Sequence, residues 1–114
     1  VLSKPDTWVP TQIAALAFGV WWLGNGIAVF LADGPSASSL ESAGNVEALG
    51  VAISVNGWHG LLHLTTGVAG VAACVSPSAS RAYALIIGTL YLAAAASSVV
   101  TGSPVFGLIQ VDAL

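Results

Sequence analysis

Apolar positions gather in three long runs, and every charged residue lies outside them. The first run is Thr11 to Ala32, TQIAALAFGVWWLGNGIAVFLA. The second is Asn56 to Val75, NGWHGLLHLTTGVAGVAACV, and the third is Ala82 to Val100, AYALIIGTLYLAAAASSVV. Each is close to the roughly 20 mostly apolar residues that a helix needs to cross a bilayer. The pattern predicts an all-α membrane protein with three transmembrane helices, at about 11–32, 56–75 and 82–100. Together they make a single domain over 1–114.

The breaks carry their own signals. Pro10 precedes the first run, where a missing N–H costs little. Asp33-Gly34-Pro35 stops it. Ser76 to Ser80, SPSAS, reads as a tight polar turn, so helices two and three form a short antiparallel hairpin. Thr101 to Pro104, TGSP, closes the third run. The first run is too long for the apolar core of a secretory signal. The 33–55 loop holds SSLESAGNVEALGVAISV, with apolar points at Leu40, Val46, Leu49 and Ile53. Two readings fit it: a short amphipathic helix on the membrane surface, or a flexible Ser/Gly/Ala loop.

Composition strengthens the membrane reading. Of 114 residues only 6% are charged and 56% are hydrophobic, against roughly a quarter charged in soluble domains. Mean hydropathy is +0.90. Lys4 and Arg81 are the only basic side chains, which excludes nucleic acid, a partner that needs several cationic contacts. By the positive-inside rule both cations face the cytoplasm. The 33–55 loop, with Glu41 and Glu47, and the tail with Asp112 are then expected outside a bacterial plasma membrane. Cys74 is the single cysteine, so no disulfide forms within the chain.

In lipid, helices associate through close contact of small residues and through polar side chains. Ala15, Gly19 and Gly26 supply such a face on helix one; Gly60, Gly67 and Gly70 on helix two; Ala84, Gly88 and Ala95 on helix three. Trp21 and Trp22 sit mid-helix, away from the interfaces that membrane tryptophans usually anchor. They are expected to fill a bundle core or dock onto another subunit. Asn25 is expected to hydrogen-bond between helices.

The candidate chemistry lies on helix two. Asn56, His59, His63, Thr66, Gly67, Gly70 and Cys74 share one side, while Leu61, Leu62, Leu64, Val68, Val71 and Val75 occupy the other. With Asn56 at the outer interface, His59 lies about 5 Å and His63 about 10 Å into the membrane. Four uses remain open for the pair. They are neutral hydrogen-bonding between helices, a metal site with Asp112 or Glu47 as third ligand, proton handling or quinone contact beside a redox partner, and haem ligation. One helix cannot supply both axial ligands of a haem. A zinc protease needs Glu directly after the first His, where Gly60 stands.

These stretches resemble a family of small actinobacterial integral membrane proteins catalogued as a domain of unknown function. The resemblance rests on Asn56, His59, His63 and Gly67, an Asn-x2-His-x3-His-x3-Gly pattern, and then on Arg81, Tyr83, Gly88 and Tyr91 in order. FGVWWLGNGIAVFL matches more loosely. The resemblance implies a fourth helix opening near an Asp, the position that Asp112 holds. It implies location and no activity.

The expected role is an accessory, non-catalytic subunit of a larger membrane complex, with a respiratory-chain (cytochrome or oxidase) assembly as the candidate. Its expected partners are membrane lipid and other integral membrane subunits, contacted through Trp21, Trp22, Asn25, Asn56, Gly67 and Gly70. No enzyme activity and no cofactor are expected of the chain itself. The alternative is a metal-binding or proton-handling membrane protein using His59, His63 and Asp112.

Overall fold

A computed structural model describes residues 7–48 and 50–110. Three helices and one small sheet follow in chain order: α1 (Pro10–Leu31), β1 (Ala43–Ala48), β2 (Val51–Asn56), α2 (Gly57–Ala73) and α3 (Pro77–Thr101). Two of them, α1 and α3, are long and apolar enough to cross a membrane, with mean hydropathy 1.7 and 1.8. The 17 residues of α2 fall short of that length.

α1 and α2 run antiparallel and pack backbone to backbone. A Cβ on Gly19 would stand 2.6 Å from Val71 N, and one on Gly67 would stand 2.5 Å from Leu23 N. One on Gly70 would meet Ala15 O at 2.8 Å. Real Cβ atoms do not approach so closely, so glycine sets the spacing of this pair. The small faces read from sequence on these two helices are the faces that meet. On α3 the corresponding face is not closely packed among the described residues: Ala84, Gly88 and Ala95 are all exposed. Only Ser80 of α3 is buried.

α3 lies parallel to α1 and touches it at two rungs. Ser80 Oγ donates to Thr11 Oγ1 at 3.0 Å, and Tyr91 stacks on Trp22 with ring centroids 5.0 Å apart. The α1–α2 pair is closed at the same end by Gln12, which is 1% exposed. Its Nε2 donates to Cys74 O at 2.9 Å and its Oε1 accepts from Val9 N.

α3 begins at Pro77, not at the expected Ala82. Ser76 Oγ accepts from Ala79 N as a helix cap, and Pro77 takes the first helical position, which suits a residue without an N–H. The SPSAS turn is therefore mostly the first turn of α3.

The 33–55 segment forms no helix among its described residues, and from Ala43 onward it is not a loop either. Ala43 to Asn56 fold into an antiparallel hairpin in which Ala43 pairs with Asn56 and Ala48 with Val51. Each strand satisfies the backbone groups on the facing edge of the other. Gly50, with φ 76°, lies in the reversal. Leu49, one of the expected apolar points, lies outside the described residues.

Candidate functional site

The N-terminus of α2 places the site. Asn56 ends β2 and caps α2, its Oδ1 accepting from His59 N at 3.1 Å. The same oxygen accepts from Gln110 N at 3.2 Å, and Nδ2 donates to Leu108 O at 2.6 Å. One side chain therefore ties β2, α2 and the segment after α3 together. That segment is itself a tight turn, in which Val105 and Ile109 form an antiparallel bridge around Phe106 (φ 53°) and Gly107 (φ 73°).

His59 turns toward the same segment. Its Nδ1 lies 2.7 Å from Gln110 O. A carbonyl oxygen only accepts, so Nδ1 carries the proton, and in the neutral ring Nε2 is left as an acceptor. One turn deeper, His63 is 8% exposed. Its ring meets the His59 ring edge-on at 4.4 Å and the Trp22 ring, tilted, at 4.4 Å. The Tyr91 and His63 ring centroids lie 6.3 Å apart, nearly parallel. Trp22, His63 and Tyr91 thus bring one aromatic ring from each helix into a single cluster. Below it, Thr66 accepts from both tyrosines: Tyr83 OH donates to its main-chain oxygen at 3.0 Å and Tyr91 OH to its Oγ1 at 3.3 Å.

Two buried polar atoms have no hydrogen-bond partner among the described residues, Trp58 Nε1 and His63 Nδ1. Trp58 borders a cavity of about 180 Å³ shared with Glu41, Asn56, Pro104, Leu108 and Gln110.

The expected residues are distributed unevenly. Asn56, His59 and His63 gather at one end of α2, and Gly67 and Gly70 lie against α1. Trp22 enters the cluster, whereas its neighbour Trp21 is 61% exposed. Among the described residues Asn25 makes no bond across helices; its Nδ2 donates to Trp21 O in the preceding turn of α1. Asp112 lies outside the described residues. Glu47, the other expected third ligand, is in β1, and among the described residues no group of three His, Cys, Asp or Glu side chains is placed to hold a metal. Missing from the sequence reading were the carbonyls of Leu108 and Gln110. Main-chain partners more than fifty residues away leave no mark in composition or spacing.

The described residues form a mostly helical protein with one small two-stranded sheet, and two of its helices are long and apolar enough to cross a membrane. Residues 12–113 match the family described as a domain of unknown function, DUF4383, and the chain belongs to that family. No curated protein and no solved structure shows significant similarity to it.

Proposed function

We propose that this chain crosses a bacterial plasma membrane three times and serves as an accessory, non-catalytic subunit of a larger membrane assembly. The observation that carries the reading is α3, a 25-residue apolar helix with one buried residue. Leu85, Ile86, Leu92, Val99 and Val100 are each between 66% and 86% exposed. Such a surface needs lipid or another apolar helix against it. The longest dimension, 43 Å, suits a bilayer of about 40–45 Å with its interfacial regions. The histidine–aromatic cluster reads in this account as the joint that locks the helices to one another. The Asn56, His59, His63 and Gly67 pattern is then a folding signature of the family.

Purification of the tagged protein in a mild detergent tests the role. Comigration with a defined larger assembly is expected, and haem- or flavin-containing respiratory subunits are the first to look for. Migration as a lone small oligomer would overturn the reading.

A second reading has one observation in its favour. His63 Nδ1 is buried without a partner beside a second histidine, and a buried polar atom left unpaired is costly. His59 also donates to a main-chain carbonyl, as metal-bound histidines commonly do. In that reading the pair binds a metal or passes a proton. Elemental analysis of the wild type against the His59→Ala/His63→Ala double variant decides the metal form. Equal metal content in both ends it.

A further inference from the structure

Between the two rungs that join α1 and α3, the helices separate. The space is a cleft of about 290 Å³. Ala14 and Phe18 form its α1 wall, and Ala84, Ile87 and Gly88 its α3 wall. The Thr11–Ser80 pair closes one end and the Trp22–Tyr91 stack the other. Both rungs have the same sequence offset, 69 residues, so the walls keep a constant register.

We propose that this cleft holds one acyl chain of an anionic phospholipid from the leaflet on the Arg81 side. The proposal rests on the membrane placement given above. Three observations select this occupant. First, the rungs are eleven residues apart on each helix, about 16 Å at 1.5 Å per residue. That is the depth of one leaflet, half of a hydrocarbon core of about 30 Å. Second, the lining of the cleft is almost wholly hydrocarbon, and its hydroxyls are engaged with other hydroxyls or with the main chain. Tyr83 OH and Tyr91 OH both donate to Thr66, and Ser80 Oγ donates to Thr11 Oγ1 and lies against Pro77 O. What remains is a hydrocarbon-lined slot. Third, charge is divided along the molecule among the described residues. Arg81 directly follows Ser80, at the end that the Thr11–Ser80 pair closes, and no ion pair engages it among the described residues. The described carboxylates, Asp33, Glu41 and Glu47, all belong to the opposite end. The N-termini of α1 and α3 stand at the Arg81 end against the single C-terminus of α2, so the helix dipoles leave that end positive. An anionic phosphate is the complement of that end.

The test has two stages. An alkaline carbonate wash of membranes carrying the tagged full chain reads the membrane placement alone. A chain released by the wash would overturn both that placement and the lipid site. The retained chain is then equilibrated with vesicles of equal phosphatidylglycerol and phosphatidylcholine, and bound lipid is counted by native mass spectrometry. Wild type is expected to keep one phospholipid per chain, with phosphatidylglycerol in excess. Gly88→Leu, which adds a side chain where a Cβ meets nothing within 4 Å, fills the slot from α3. Ala14→Phe fills it from the opposite wall. Each is expected to lower retained lipid about tenfold. Arg81→Gln is expected to leave occupancy in place and reduce the phosphatidylglycerol preference about fivefold. A washed chain that carries no lipid, or cleft-filling variants that retain as much as wild type, would overturn the site and leave the membrane placement standing. Equal uptake of the two lipids by wild type would overturn the anionic assignment.

Discussion

Asn56 does more than cap a helix. Its amide ties the β2–α2 junction to the segment after α3, more than fifty residues on, using both of its polar atoms. Asn56→Ala is expected to destabilise the protein by about 2 kcal/mol, from a lost cap and unpaired main-chain groups. Thermal unfolding in detergent measures this, and a loss under a few tenths would show that the hub is dispensable. The adjacent tryptophans give a contrast. Trp22→Ala opens a hole beside His63 and Tyr91 and is expected to cost about 3 kcal/mol, while Trp21→Ala is expected to change the isolated chain by less than about 0.5 kcal/mol. Sequence adjacency hid this difference. Neighbours on a helix point about 100° apart, so only one of two equal tryptophans can enter the bundle. Asn25 was legible as a polar residue in an apolar run. Its choice of its own helix as partner was not, because a side-chain amide can satisfy itself on the preceding turn.

The elements were legible where one period dominates. Charge-free runs marked α1 and α3, and the small-residue spacing marked the touching faces of α1 and α2. Gly67→Val places side-chain carbon against the Leu23 backbone of α1. It is expected to cost about 2 kcal/mol or more, and to separate the pair, as overpacking in a site that cannot relax. Gly24→Ala, where a Cβ meets nothing within 4 Å, is expected to be neutral or stabilising by about 0.5–1 kcal/mol. Parallel melts of the two variants test the packing, and equal effects would refute it. The hairpin escapes both readings of the 33–55 segment, surface helix and flexible loop, for a physical reason. Leu40, Val46 and Ile53 fit a loose helical stripe, but a clearer signal lies beside it. Val51, Ile53 and Val55 alternate with Ala52 and Ser54, a period of two directly after a glycine, which is the mark of a strand leaving a turn. Small residues on α3 misled in the opposite way. They suit close contact, but nothing in one chain obliges a neighbour to be present.

For the whole molecule, the proposed arrangement puts the hairpin and the α2 N-terminus at one membrane face and the α2–α3 turn at the other. A Cys74→Ser background permits a direct test with single cysteines introduced by Ser38→Cys or Ser78→Cys. A membrane-impermeant thiol reagent is expected to label the Ser38 position in intact cells, and the Ser78 position only after permeabilisation. The reverse result would invert the orientation, and labelling of both in intact cells would refute three crossings. At this scale the solvent was written in the composition, because seven charges cannot coat a water-soluble surface of 114 residues. The work done in that solvent was not, since the cluster of Trp22, His63 and Tyr91 is built from three helices whose mutual register no single run reveals.

The helices are unequal. At 1.5 Å per residue α1 and α3 extend about 33 and 38 Å, whereas α2 extends about 26 Å, less than a typical hydrocarbon core of about 30 Å. In a three-span arrangement the bilayer meets a long helix on one side of the protein and a short one on the other. Lipid beside α2 has to thin, and lipid beside α3 has to thicken unless that helix tilts. The protein would then impose a thickness gradient around itself. Copies would be drawn together, or toward another protein with a matching thin side, by the elastic cost of that deformation alone.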